Sequence, residues 1–237
     1  MSEWFNKLAQ DFSQTFLEGN RWQSLLSSLG VTLKLTLFAL ILGSVLGVIV
    51  AVVRATHDQM EAQHRSSKLL NFLNNVCQLY LTVIRGTPMM VQLLIMYFVI
   101  MASSTNTTLV ATLSFGINSG AYVAEIIRGG IMSVDKGQTE AGRSLGLSYI
   151  QTMWHIVIPQ AIKNILPALG NEMIALLKET SIVNVIGMKD ITKWALNVQG
   201  RTYQAFMPFL GIAAVYLIIV ILLTKAVSIM ERRLNNG

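Results

Sequence analysis

The chain has 237 residues, of which 53% are hydrophobic and only 13% are charged. Soluble domains usually carry about 25% charged residues, so this composition excludes an ordinary soluble protein and indicates an integral membrane protein. The formal net charge of +6 is the Lys and Arg excess expected on the cytoplasmic side of such a protein, and it does not predict nucleic-acid binding.

The long apolar runs predict an all-α integral membrane protein. At about 20 residues per helical span, this length accommodates about five transmembrane helices with their loops. We expect the N-terminus outside and the C-terminus in the cytoplasm. The predicted parts are an interfacial helix (1–23), a transmembrane domain (24–230) that includes cytoplasmic helices (133–160), and a cytoplasmic tail (231–237). Aromatic and apolar residues at helical spacing predict that the first part is amphipathic and is not a cleavable signal peptide: Trp4, Phe5, Leu8, Phe12 and Phe16.

The first predicted span covers 31–53 and contains Gly43 and Gly47. These glycines allow another helix to approach closely, or they reflect only the frequency of glycine in membrane helices. We predict a polar cytoplasmic loop over 54–68, because its Arg54, Arg65 and Lys68 slightly outnumber its acids.

The second span is expected to start within 77–85, with Arg85 near the cytoplasmic boundary. Pro88 should interrupt or begin the deeper helix, because proline lacks the backbone N–H of a helix interior. A short link over 102–108 should face outside. The third span is predicted at about 109–127. There Glu125 and Arg128 are three residues apart and are predicted to pair near the inner surface, with a direct substrate role for Glu125 as the alternative.

Between the third and fourth spans lies a polar segment, 135–161, with its own helix signals. Gly146 predicts the end of one short helix. Ser148 followed by Gln151 forms a capping box that predicts the start of a second helix. Pro159 should mark the join to the next apolar block.

The fourth span, about 162–188, is the most polar. Charged groups in a bilayer usually face a bundle interior or a wet path, so Glu172, Lys178 and Glu179 predict either a translocation path or inter-subunit ion pairs and helix caps. Residues 189–204 should form an external loop or short helix. A fifth span at about 207–226 ends in a basic tail, consistent with the cytoplasm.

The polar segment resembles the EAA signature of ABC-importer permeases, which reads E-A-A, three residues, G, nine residues, I-x-L-P. Gly142 replaces the second Ala and Ile158 replaces Leu. The resemblance implies that 135–161, the coupling segment, docks in a groove of a separate ATPase; the alternative is a plain cytoplasmic loop helix. The implied ATPase-coupling residues are Gly137, Glu140, Ala141, Gly142, Arg143, Leu145, Gly146, Leu147, Ile156 and Pro159.

Three further stretches resemble the polar amino acid subfamily of these permeases: RGTPMMVQL from Arg85, SGAYVAEIIRGG from Ser119, and the NE and LLKETS residues of 171–181. The resemblance implies transport of a polar amino acid such as glutamine, glutamate, histidine, arginine or cystine by alternating access. A buried zwitterion needs polar partners for both its charges. The candidate path residues are Thr87, Gln92, Asn118, Tyr122, Asn171 and Glu172, with Glu172 suited to an ammonium group. Arg85, Pro88, Glu125 and Arg128 are assigned structural roles near the inner surface.

The sequence contains no G-x-x-x-x-G-K-[ST] phosphate loop, so ATP and Mg are expected on a partner subunit and not on this chain. The single Cys77 and three scattered histidines predict no metal site and no other cofactor. By resemblance the partners are an ATPase dimer, a second permease chain, an extracytoplasmic solute-binding protein, an amino acid and lipid, all at a bacterial cytoplasmic membrane. The alternatives are a stand-alone secondary amino acid carrier or channel, and a membrane scaffold.

Overall fold

The computed structural model describes residues 2–62 and 67–235, and within these ranges the regular structure is helical throughout, with no strand. The first helix, α1 (Ser2–Phe12), is followed by a π-helical turn (Ser13–Leu17) and a 3-10 turn (Glu18–Asn20). Gly19 and Asn20 have φ angles of 60° and 55°, and this left-handed backbone separates α1 from the long helix that follows. The predicted helix within 1–23 is therefore shorter than that range, and its place at a membrane interface stays a prediction.

Helix α2 (Arg21–Ala62) is much longer than the span predicted at 31–53. The prediction of a polar loop from residue 54 is wrong for 54–62, and Arg65 of that loop lies outside the described residues. The helix continues because no glycine or proline follows Gly47 in it, and because Arg54 is fixed by an ion pair to a neighbouring helix.

A sharp break follows α3 (Lys68–Gly86), whose N-cap is Ser67. The next helix, α4 (Met89–Ile95) with its π-helical turn (Met96–Ile100), is bent by 110° from α3. Pro88 is the N-cap of α4, which confirms that proline begins the deeper helix.

Helix α5 (Thr107–Met132) is the most buried of the long described helices and contacts α2, α3, α4 and the later helix α8 (Ile158–Glu179). A Cβ added to Gly43 would lie 2.9 Å from the Ser119 Cβ, and one added to Gly47 would lie 2.5 Å from Val123 Cγ1. The two glycines therefore let the α2 and α5 backbones approach closely, which confirms that interpretation over mere abundance of glycine.

The second half of the chain contains α6 (Lys136–Ser144), α7 (Tyr149–Thr152), a π-helical turn (Met153–Val157), α8 (Ile158–Glu179) and a 3-10 helix (Thr180–Ile186). It ends with α9 (Ile191–Thr202) and α10 (Phe206–Asn235). The fourth span is predicted over about 162–188. In the structure its α-helix ends at Glu179, and a 3-10 helix covers most of the rest of that interval. The short helix predicted within 189–204 is α9.

Three helical segments among the described residues are long and apolar enough to cross a membrane: Glu3–Glu61, Thr107–Met132 and Phe206–Leu234. The bent pair α3 and α4 makes a fourth if it counts as one span. Helix α8 has 22 residues but is not among these segments, because polar side chains such as Asn164, Asn171 and Glu172 interrupt its apolar run. The count of five crossings stays a prediction.

Candidate functional site

The turn between α6 and α7 has the geometry that the sequence predicts. Asp135 caps α6 by accepting from the Gly137 N–H at 2.6 Å. Gly146 has a φ of 79°, its N–H donates to the Arg143 carbonyl at 3.0 Å, and the Leu147 N–H donates to the Gly142 carbonyl at 3.1 Å. This is a Schellman ending, so glycine stops the first short helix as predicted.

The second short helix starts at the predicted capping box. The Gln151 N–H donates to Ser148 Oγ at 3.3 Å, and the Ser148 N–H donates to Gln151 Oε1 at 2.9 Å. No break follows at Pro159, because this proline lies in the first turn of α8, where a missing N–H does no harm. The chain is helical from 149 to 179, so the join expected at Pro159 is continuous.

Gly142 is buried where the two short helices meet. A Cβ at this position would lie 2.7 Å from Thr152 Cγ2 and 3.1 Å from Ile156 Cδ1. Glycine in place of the usual alanine of the signature thus allows a closer packing of α6 against the turn before α8. Gln160 Nε2 donates to Gln138 Oε1 of α6 at 3.2 Å, and Asn164 Nδ2 ties α8 to the end of α5 by donating to Ser133 Oγ at 2.7 Å.

Three large apolar side chains of the coupling segment are exposed. Leu145 is 79% exposed, Ile150 77% and Trp154 67%. Glu140, Ala141 and Arg143 are also exposed, whereas Leu147 and Ile156 are half-buried. Exposed large apolar side chains concentrated in ten residues of sequence are typical of a protein interaction site.

Three of the predicted path residues form a chain of hydrogen bonds at the break between α3 and α4. Gln92 Nε2 donates to the carbonyl oxygens of Ile84 at 2.7 Å and Thr87 at 3.0 Å, and it lies 2.8 Å from Thr87 Oγ1. The buried Asn118 Nδ2 donates to Gln92 Oε1 at 3.0 Å. Gln92 therefore satisfies backbone carbonyls that the break releases, and it ties α4 to α5.

Glu172 of α8 accepts a hydrogen bond at 2.8 Å from Ser119 Oγ, which lies on α5. Adjacent residues of α5 thus contact different neighbours, since Asn118 contacts α4 and Ser119 contacts α8. Asn171 is exposed and makes no hydrogen bond to another described side chain. Cavities of about 650 and 570 Å³ in this chain are lined by other residues, so the six path candidates do not enclose one of them.

The predicted pair of Glu125 with Arg128 is wrong. Among the described residues, Glu125 Oε1 is 2.7 Å from Arg54 Nη1 and its Oε2 is 3.7 Å from Arg85 Nη1. The guanidinium of Arg85 also lies 5.8 Å from the centre of the Tyr122 ring. A carboxylate with two cations from α2 and α3 forms a stronger network than one helix-surface pair, and Arg128 faces a different cavity.

Sequence reasoning missed Ser119, Arg54 and Tyr80, whose hydroxyl donates to the Ile117 carbonyl at 2.5 Å. The partners of Ser119 and Arg54 lie 53 and 71 residues away along the chain, so no local spacing identifies them. Only their place within the motif stretches, such as Ser119 beginning SGAYVAEIIRGG, hints at a role.

Comparisons with known proteins agree with this architecture. A family model described as "Binding-protein-dependent transport system inner membrane component" matches residues 43–236. The chain is 38% identical over 207 residues to the putative glutamine transport system permease protein GlnP of Rickettsia typhi, covering 86% of this chain and 89% of that protein. It is 35% identical over 216 residues to the arginine transport system permease protein ArtQ of Bacillus subtilis, covering 90% and 93%.

A solved structure titled "Crystal structure of an amino acid ABC transporter with histidines" matches with a TM-score of 0.81 and 43% identity over 89% of this chain and 94% of that chain. The helical fold, the signature in the coupling segment and the sequence relatives all indicate the same family. The chain is membrane-embedded and belongs to the family of inner membrane components of binding-protein-dependent transport systems.

Proposed function

We propose that this chain is the permease subunit of an importer that moves a polar amino acid across a bacterial cytoplasmic membrane. The relatives named for glutamine and arginine transport, and the amino acid transporter of similar structure, support this substrate class. The observation that carries the proposal is the coupling segment, in which a rigid pair of helices presents Leu145, Ile150 and Trp154 outward.

In this proposal the exposed patch docks on a cytoplasmic ATP-binding subunit, one for each chain of a permease dimer. An extracytoplasmic binding protein delivers the amino acid. Closure of the ATPase pair moves the coupling segment as a rigid body and changes access to the path between the spans. Nucleotide and Mg bind to the ATPase, and this chain contributes docking and the path.

Within the path we assign Glu172 to the ammonium group or a cationic side chain of the substrate, and Gln92 with Asn118 to its carboxylate. Glu172 accepts a hydrogen bond from Ser119 in the described structure, which leaves its second carboxylate oxygen for a ligand. The amides of Gln92 and Asn118 bond each other and so can exchange that bond for one to a substrate.

The decisive experiment measures retention of the ATPase by the purified transporter for two variants. Alanine at Ile150 should remove the ATPase from the purified complex, because it deletes a 77% exposed apolar contact and leaves the fold intact. Alanine at Leu69, which is 68% exposed on α3, is the matched control and should retain the ATPase. A stand-alone carrier would transport without an ATPase and would respond to neither change.

For the substrate, Glu172→Gln should reduce uptake of the labelled amino acid while nucleotide hydrolysis persists. Unchanged uptake and unchanged hydrolysis would remove Glu172 from the path. A cysteine introduced at Leu145 should react with an impermeant thiol reagent only after the membrane is opened, and labelling on intact cells would overturn the proposed orientation.

A further inference from the structure

A cavity of about 650 Å³ lies beside the coupling segment and is distinct from the path residues. Its walls come from one end of α2, the end of α5, and the turn between α6 and α7. On α2 the lining residues Ala51, Ala55, Asp58 and Gln59 follow helical spacing and so form one face. Arg54, four residues before Asp58 on the same helix, pairs instead with Glu125 and lines a different cavity.

Two guanidinium groups line this cavity, from Arg128 of α5 and Arg143 of α6. No ion pair or side-chain hydrogen bond engages either of them within the described part of the chain. Arg128 does not pair with Glu125 three residues before it, because that carboxylate already contacts Arg54 and Arg85. The one acid in the lining is Asp58, which lies 3.5 Å from His57 Nδ1, so the charged lining residues carry a net positive charge.

The remaining lining consists of the Gln59 amide, three hydroxyl groups and apolar surface. Thr139, Ser148 and Tyr149 bring hydroxyl groups from the coupling segment, whereas Ala51, Ala55, Ile131, Met132 and Leu147 form the apolar part. Burial raises the pKa of the Tyr149 phenol, so this hydroxyl remains a hydrogen-bond donor at neutral pH. A cavity with two cations, three hydroxyls and an apolar wall fits a ligand that is anionic at one end and hydrocarbon at the other.

We infer that this cavity binds the headgroup and upper acyl chain of one anionic phospholipid, with its phosphate between Arg128 and Arg143. The inference rests on the orientation in the proposed function, which puts these ends of α2 and α5 at the cytoplasmic surface. Lipid headgroups lie at that depth, and basic pockets between helices on the cytoplasmic side are typical sites for anionic lipid headgroups. The guanidinium fork matches phosphate oxygens, and the apolar wall continues into the membrane along α2 and α5.

The consequence is a lipid that bridges the coupling segment to the transmembrane helices. Arg143 moves with α6, and Arg128 is fixed on α5. A phosphate bound to both would hold the coupling segment against the spans and make transmission of its movement sensitive to membrane composition.

The test is lipid retention by the complete permease–ATPase complex, measured by native mass spectrometry after exchange into mixtures of phosphatidylglycerol and phosphatidylcholine. Wild type should retain one phosphatidylglycerol per permease chain in preference to phosphatidylcholine. Arg128→Gln should reduce that retention about tenfold or more, because it removes a charge-assisted hydrogen bond. Arg232→Gln, a cytoplasmic-tail cation outside the cavity, should leave retention unchanged.

Asp58→Asn separates a binding role from a structural one, because it removes the cavity's only acid and should increase retention. Equal retention of the two lipids by wild type, or no loss in Arg128→Gln, overturns the inference. Displacement by millimolar inorganic phosphate alone also overturns it, because the site would then belong to a soluble anion. Failure of the proposed function would appear separately, as labelling of the Leu145 cysteine from outside with retention intact.

Discussion

Glu125 on α5 and Arg54 on α2 form an ion pair of 2.7 Å, although they are 71 residues apart in the chain. Arg54 is only 15% exposed, so its charge depends on this partner for solvation. Together with the glycine contacts at Gly43 and Gly47, the pair fixes α2 against α5 over much of their length.

Glu125→Gln should destabilise the purified chain by about 1–3 kcal/mol, because a half-buried guanidinium then loses its counter-ion. Thermal unfolding in detergent measures this change. Glu61→Gln is the matched control, since that carboxylate is 70% exposed and its one charged contact among the described residues is His57, and it should leave the unfolding temperature nearly unchanged. Equal shifts for both variants would show that the pair adds no stability.

Gln92→Leu should cost about 2 kcal/mol or more, because it leaves the carbonyls of Ile84 and Thr87 and the buried amide of Asn118 without their partner. Thermal unfolding in detergent also measures this change. Gln23→Leu in α2 makes the same chemical change at an exposed position, and we expect it to be close to neutral. A Gln92 variant as stable as the Gln23 variant would contradict the assigned role at the break.

Gly47→Ala and Gly30→Ala should change the free energy of unfolding in opposite directions, although both residues lie in α2. At Gly47 the new Cβ would meet Val123 at 2.5 Å and the Ala124 backbone nitrogen at 2.9 Å, so we expect a loss of about 1–3 kcal/mol. At Gly30 no atom of the described residues beyond the surrounding helix backbone lies within 4 Å of the new Cβ, and alanine should stabilise the helix by up to about 1 kcal/mol. Unfolding shifts of the same sign would contradict the close helix contact.

Gly146→Ala should uncouple nucleotide hydrolysis from transport, because a φ of 79° costs a residue with a Cβ about 1–2 kcal/mol and shifts the turn between α6 and α7. The measurement is hydrolysis by the complex with and without substrate-loaded binding protein. Gly129, near the end of α5, has open space around it and no positive φ. Gly129→Ala should therefore preserve the stimulation of hydrolysis by the loaded binding protein. Normal stimulation in both variants would remove the turn from the coupling mechanism.

Local signals predicted the coupling segment well, because a capping box and a glycine helix stop act over a few residues and need no tertiary partner. Ser148, Gln151 and Gly146 all have the predicted geometry. The proline at 88 is a similar case, since its missing N–H alone determines where α4 begins.

Predictions that required a tertiary partner were less successful. The pairing of Glu125 with Arg128 follows from helix spacing, but a carboxylate near a helix–helix contact is taken by cations of other helices. The predicted end of α2 is too early for the same reason, since a charged Arg54 favours a loop unless a partner such as Glu125 of α5 neutralises it. The path candidates Gln92 and Asn118 proved to be neighbours, whereas their relation to a bound substrate stays a prediction.

The continuous helix from 149 to 179 has a mechanical consequence. At 1.5 Å per residue it extends for about 45 Å, with Trp154 near one end and Glu172 towards the other. A tilt at the Trp154 end would therefore displace the Glu172 carboxylate relative to Ser119, and Pro167 inside α8 is the position where the helix between them can bend. In the proposed function, movement of the coupling segment would thus reach the middle of the bundle along this one helix.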